Sequence, residues 1–303
     1  MVKNLSVDLC GIRLRNPVVP ASGTFGFGLE LAGDMDLNVL GGISLKGTTR
    51  EARYGNPTPR ITECDGGMIN SVGLQNPGID VLVDEKVPAL RKVYDGCVIA
   101  NISGFSLDEY KECCAKADAC EGIDIIEVNV SCPNVHNGGM AFGTSAASAA
   151  EVTAAVKAVC RKPVFLKLSP NVTDIVSIAR ACEDAGADGL TLVNTVLGMR
   201  IDIARRRPVI ANKMGGFSGR AIFPIALRMV YQVAHACRIP VMGCGGVATA
   251  RDVIEMMMAG ATAVQVGAEN LRNPFACPEI VAELPALMDE LGIHTLQEII
   301  GTV

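Results

Sequence analysis

The sequence predicts an α/β protein built as a (β/α)8 barrel with a short N-terminal β-hairpin, and three observations carry that expectation. Eight short β-branched runs recur along the chain, amphipathic stretches alternate with them, and no Ser/Gly-rich tract or charge block interrupts the series. Doubly wound sheets rarely need eight such regular units, so a single domain over residues 1–303 is the economical reading. With 49% hydrophobic residues, the chain has enough apolar surface to fill one large core.

The elements follow in order. Leu5-Ser6-Val7-Asp8-Leu9 and Ile12-Arg13-Leu14 alternate about Cys10-Gly11, which predicts a hairpin. The eight strand runs are Pro17–Ser22, Gly42–Lys46, Cys97–Asn101, Ile125–Asn129, Val164–Leu168, Leu190–Asn194, Pro240–Gly243 and Ala263–Gly267. Helices are expected over Val81–Val93, Leu107–Ala119, Ala146–Val159, Ile175–Ala185, Ile222–Ala236 and Ala250–Met258, with Gly186, Gly260 and Gly292 at C-termini.

Composition removes several function classes. A net charge of −5 without a Lys/Arg run, no Trp and 4% aromatics argue against nucleic acid as a partner. The twelve cysteines include no Cys-x-x-Cys, and Cys113, Cys114 and Cys120 have no His nearby, so no metal site is expected. Most of these thiols are expected to be small core hydrophobes in a reducing compartment. The N-terminus carries no signal-peptide block and no segment nears 18 uninterrupted apolar residues, which predicts a cytoplasmic protein without a membrane association.

In such a barrel the catalytic face lies at the C-terminal strand ends. Those ends supply Ser22, Lys46-Gly47, Asn101, Asn129 followed by Cys132, Lys167, and Asn194-Thr195, while glycines close strands 7 and 8 at Gly245-Gly246 and Gly267-Ala268. Gly215-Gly216-Phe217-Ser218-Gly219 precedes a helix beginning near Ala221. Glycine backbone approaches phosphate closely and a helix N-terminus favours an anion, although any one pair would also serve a tight turn. Lys46 and Lys167 inside a barrel mouth call for an anion, unless their charged heads reach solvent. With Asn70, Asn101, Asn129, Asn134 and Asn194 they form a box suited to a flat, polar, anionic group. Lys167 could equally be a Schiff-base nucleophile. Cys132 follows a strand end and lies among polar groups, which leaves nucleophile and acid/base roles both open.

Asn129-Val130-Ser131-Cys132-Pro133-Asn134 resembles the signature loop of class 1 dihydroorotate dehydrogenases. Ala21-Ser22-Gly23, Ser44-Leu45-Lys46-Gly47, Asn70-Ser71-Val72-Gly73-Leu74-Gln75-Asn76, Lys167-Leu168-Ser169-Pro170, Gly215–Gly219 and Gly245-Gly246-Val247 match the same family in order. The resemblance implies FMN bound by Ser22, Lys46, Gly47, Asn101, Asn129, Lys167, Val193, Gly219, Gly245, Gly246, Gly267 and Ala268. It implies dihydroorotate held by Lys46, Asn70, Ser71, Val72, Gly73, Leu74, Asn129, Asn134, Asn194 and Thr195. Cys132 would then be the base that takes the C5 proton while a hydride passes from C6 to the flavin.

The family's membrane-associated class uses Ser as base and has an N-terminal extension, from which this chain departs at Cys132 and in beginning almost at its hairpin. The continuation Val135-His136-Asn137-Gly138-Gly139-Met140-Ala141-Phe142-Gly143-Thr144 is similar to the NAD-linked type rather than the fumarate-linked one. That type implies a partner subunit with FAD and a [2Fe-2S] cluster, NAD as final acceptor, and a heterotetramer around a homodimer. The loop holding Cys132 and Gly138-Gly139 is expected to act as a lid. Alternatives are the fumarate-linked class, a flavin enzyme for a different dihydropyrimidine, and a flavin-free barrel serving as a Schiff-base lyase or a phosphate-binding subunit.

Overall fold

In the computed structural model, which describes residues 3–131 and 142–303, the chain begins with the expected hairpin, β1 (Val7–Leu9) and β2 (Ile12–Leu14). Cys10 and Gly11 turn it with φ of 56° and 79°, the left-handed pair that a two-residue hairpin loop of this twist requires. Leu9 and Leu14 are fully buried, and Cys10 Sγ donates to the carbonyl of Asp188, the residue just before a barrel strand begins. The hairpin therefore closes the N-terminal end of the barrel.

The first half of the barrel contains β3 (Val18–Pro20), β4 (Gly42–Ser44), β5 (Ile61–Cys64), β6 (Gly67–Asn70), α1 (Ile79–Val81), α2 (Val87–Leu90), β7 (Cys97–Ile102), α3 (Leu107–Ala119), β8 (Ile125–Asn129) and α4 (Ala146–Lys157). The second half adds β9 (Val164–Lys167), α5 (Ile175–Asp184), β10 (Gly189–Leu192), β11 (Val196–Met199), β12 (Ile201–Asp202), β13 (Arg207–Pro208), β14 (Met214–Ser218), α6 (Phe223–Ala234), β15 (Val241–Cys244), α7 (Ala250–Met258), β16 (Ala261–Val266), α8 (Glu269–Arg272) and α9 (Ala276–Glu290).

All eight expected strands pair in one parallel sheet, in the order β3-β16-β15-β10-β9-β8-β7-β4. Its two ends meet where Gly41 N donates to Val18 O at 3.0 Å, which brings the sheet round into a (β/α)8 barrel. An added Cβ on Gly41 would fall 1.9 Å from Asn16 O, so only glycine permits that closure. The strands are buried along almost their whole length, which explains their reading as apolar runs.

The outer helices show why their sequences are helical. Ile175, Ile178, Ala179 and Cys182 of α5 repeat at helical spacing and are all buried. Ser106 caps α3, Asp174 caps α5, and Thr249 with Asp252 forms a capping box on α7. Helices α3 and α7 match their expected ranges, and Gly186, Gly260 and Gly292 follow helix ends with positive φ. Of the eleven described cysteines, eight are buried, in keeping with core roles.

Three expectations need correction. The helix expected over Val81–Val93 is present but runs from Ile79 to Leu90, and it widens into a π-turn over Leu82–Lys86 just before Pro88, which has no N–H to continue the ladder. Gly215 and Gly216, grouped in the sequence with glycines suited to a phosphate, lie instead within β14, in a four-stranded antiparallel sheet ordered β11-β14-β6-β5. An added Cβ on Gly215 would meet Asn70 O at 2.4 Å, so this glycine serves strand approach rather than anion contact. The third concerns α9, a fifteen-residue helix whose end was expected at Gly292 but whose range was not given, because interior Pro285 obscures its pattern.

Candidate active site

The strand ends and the antiparallel sheet enclose one cavity of ≈ 820 Å³, within the range of small-molecule and cofactor sites. Ser22, Lys46, Gly47, Asn101, Asn129, Lys167, Val193, Gly219, Gly245, Gly246, Gly267 and Ala268 all line it, as do Asn70, Ser71, Val72, Gly73, Leu74, Asn194 and Thr195. Cys132 and Asn134 lie outside the described residues, as does most of the loop expected to be a lid.

Each wall has a local cause. On the side of strands β15 and β16, Gly245 and Gly246 have φ of 129° and 77°, and an added Cβ on Gly246 would lie 2.6 Å from Phe223 N at the start of α6. No side chain caps the N-terminus of α6, so this wall presents backbone rather than side chains. A Cβ on Gly23 would point to within 3.6 Å of Lys46 Nζ. On the opposite wall, β6 brings in Asn70, and Gly73 and Leu74 follow with φ of 76° and 56°.

The amides are held in fixed orientations. Asn129 Oδ1 accepts from Ser131 N at 3.1 Å and Asn194 Nδ2 at 3.2 Å, while Asn194 Oδ1 accepts from Thr195 N at 2.8 Å. Ser131 Oγ donates to Lys167 O at 3.0 Å, and Tyr110 Oη donates to Asn129 O at 2.8 Å, anchoring the chain where it leaves β8. Asn171, which the sequence reading did not select, bonds Thr195 O and Leu197 N and so ties the loop after β9 to the antiparallel sheet.

Among the described residues, Lys46, Arg53, Lys167 and Lys213 line the cavity and no carboxylate does. The field inside therefore favours an anion. Arg53 is stacked on Phe105 at 4.6 Å from the ring centroid, which fixes its guanidinium at the mouth.

Lys167 is not the unpaired ammonium that its sequence position suggested. Its Nζ donates to Gln265 Oε1 at 2.7 Å and lies 3.7 Å from Glu127 Oε1. Burial is the largest single influence and pushes Lys167 toward the neutral form, but the Glu127 carboxylate and Cys244 together outweigh it and the net shift is upward. A Schiff-base amine must lose its proton near neutral pH, so this environment opposes a lyase role. Burial likewise pushes the Cys244 thiol up, more than Lys167 lowers it, making this cavity-lining thiol a poor nucleophile.

Glu127 and Gln265 were missed in the sequence. The available signal was a charged or amide residue in the middle of an otherwise apolar barrel strand, Ile-Ile-Glu-Val-Asn and Ala-Val-Gln-Val. Either alone reads as a substitution on an outer face.

Known proteins place this cavity in context. Residues 4–288 match the family model described as dihydroorotate dehydrogenase. The chain is 53% identical over 300 residues to the "Dihydroorotate dehydrogenase B (NAD(+)), catalytic subunit" of Geobacillus kaustophilus, covering 99% of this chain and 96% of that one. It is 51% identical to the protein of the same name from Enterococcus faecalis strain OG1RF, over 100% and 97% of the two chains. The Halalkalibacterium halodurans protein, also of that name, is 51% identical over 99% and 98%. With the match running from before the hairpin into the last long helix, through every strand end that lines the cavity, the chain belongs to the dihydroorotate dehydrogenase family.

Proposed function

We propose that this chain is the FMN-binding catalytic subunit of an NAD-linked dihydroorotate dehydrogenase, oxidising dihydroorotate to orotate for pyrimidine synthesis in the cytoplasm. The observation that carries this reading is the convergence of four cations, of which Lys167 is paired with the buried Glu127, and a set of fixed amides in a cavity at the strand C-termini that no carboxylate among the described residues lines. The residues fit FMN. Asn101 Oδ1 is buried with no partner among the described residues, a vacant acceptor for a ring N–H. Gly245, Gly246, Gly267 and the uncapped start of α6 suit the phosphate end. Ser22, Lys46, Gly47, Asn129, Lys167, Val193, Gly219 and Ala268 would complete the contacts.

FMN, when bound, supplies the acceptor for the hydride that leaves C6 of the substrate. The protein's own groups bind, orient and deprotonate. Asn70, Asn129, Asn134, Asn194 and Thr195 have the donors and acceptors that a dihydropyrimidine's carbonyl and imide edges require, with the segment Ser71–Leu74 as a wall. A cation, Lys46, meets the carboxylate. Cys132 removes the C5 proton, a task for which a thiolate serves as base. A partner subunit would carry FAD and a [2Fe-2S] cluster and would supply the link to NAD as final acceptor, in a heterotetramer built on a homodimer of this chain.

Anaerobic mixing of the isolated chain with dihydroorotate tests the reading. The flavin absorbance of the parent should bleach and artificial acceptors should be reduced, while NAD is barely reduced. Cys132→Ala should keep its FMN but bleach at least 100-fold more slowly. Parent-rate bleaching by the variant would remove Cys132 as base, and rapid NAD reduction by this chain alone would remove the partner.

A further inference from the structure

Glu127 is the third residue of five in β8 and has no solvent exposure. A carboxylate there is tolerable only if it is fully satisfied. Oε1 accepts from Asn101 Nδ2 at 2.7 Å and Ser44 Oγ at 3.2 Å; Oε2 accepts from Thr191 Oγ1 at 2.8 Å and Gln265 Nε2 at 2.7 Å. Strands β4, β7, β10 and β16 each contribute one of these donors, and β9 adds the Lys167 ammonium.

An ionised carboxylate only accepts, so both amides that touch it must present their NH2 groups to it. That leaves their oxygens facing elsewhere. Asn101 Oδ1 is the buried acceptor without a partner among the described residues, and it lies 2.8 Å from where a Cβ on cavity-lining Gly47 would stand. Gln265 Oε1 is left to receive Lys167 Nζ, which holds that ammonium at the cavity wall.

We propose that Glu127 is a positioning residue that sets the donor and acceptor pattern of the cofactor floor: it turns Asn101 Oδ1 to the ligand as acceptor and, through Gln265, fixes Lys167 Nζ there as donor. The proposal rests on the FMN reading above. A glutamine side chain at this position has the same shape but only one acceptor oxygen, and it brings two donors of its own. At least one of Asn101 and Gln265 must then turn round or lose its bond, and the floor shows the ligand the wrong polarity.

The test is to strip FMN from the parent and from Glu127→Gln, confirm the fold of each by far-UV circular dichroism, and titrate FMN back, following flavin fluorescence and the visible spectrum of the bound form. The expected result is a Kd at least tenfold weaker for Glu127→Gln with displaced flavin bands, and recovery of most of the affinity in Glu127→Asp, which keeps the charge. A folded Glu127→Gln with parent affinity and parent spectrum overturns the proposal, as does a folded Glu127→Asp no better than Glu127→Gln. Failure of the parent itself to take up FMN overturns the cofactor reading, and this one with it. Should Glu127→Gln not fold, the parent labelled with 15N-asparagine decides. The Asn101 side-chain NH2 should be protected from hydrogen exchange with and without FMN, and rapid exchange would mean that it faces the cavity and that the proposal is wrong.

Discussion

Glu127 and Lys167 illustrate how a single residue can be invisible in a sequence and decisive in a fold. A Lys at the end of an apolar run stands out, because its charge must go somewhere. Its carboxylate partner lies 40 positions earlier in the chain and reads as an interruption of a strand, since nothing local links it to β9, β10 or β16. Burial pushes Glu127 up, but Lys167 and the hydrogen bonds from Asn101, Thr191 and Gln265 outweigh it, so its carboxyl titrates below the ordinary range. A depressed carboxylate contributes stability above its unfolded pKa of about 4.3, and that contribution is lost as pH falls through the folded value. Lys167→Met removes the cation and leaves the carboxylate buried. In the FMN-free chain at pH 7 it should cost about 3–5 kcal/mol, measured by urea unfolding. With the cation gone, burial favours the neutral acid, so the difference from the parent should shrink at pH 4; a penalty independent of pH would show that the ion pair is not its source.

At the scale of elements, the barrel strands were legible and the antiparallel sheet was not, for a common reason. Strands buried on both faces are apolar throughout, and β8 begins and ends where its pattern does. Strands β5, β11 and β14 are half exposed and carry Glu63, Gly198, Gly215 and Gly216, so neither alternation nor propensity marks them. Their pairing is decided by close approach across the chain. Leu197 stands opposite Gly216, and a Cβ on Gly216 would fall 2.0 Å from Thr195 Oγ1. Gly216→Ala should therefore push β11 and β14 apart beside Thr195 and Asn194, while the glycines at the ends of β15 and β16 stay in place. The expected outcome is a KM for dihydroorotate raised about tenfold or more, a loss near 1.4 kcal/mol, with the ratio of flavin to protein absorbance unchanged. Loss of flavin together with the KM change would mean that this sheet supports the cofactor as well.

The whole molecule gathers these elements because a parallel barrel points all its strand C-termini one way. This is why the site is legible from eight run ends in the sequence: residues spread from Ser22 to Ala268 must share a face if the topology is right. The topology does not dictate what carries out the chemistry there, and the roles of Cys132 and Asn134 rest on family resemblance. The hairpin at the other end has a consequence of its own. With Leu9 and Leu14 packed into the base, the barrel is shut at the end opposite the strand C-termini. Whatever is made inside leaves through the same face by which its successor comes in, so spent molecules and fresh ones compete for the site there. Orotate added at the start of an assay should raise the apparent KM for dihydroorotate while leaving kcat unchanged; a fall in kcat at saturating dihydroorotate would mean that orotate also binds where dihydroorotate does not displace it.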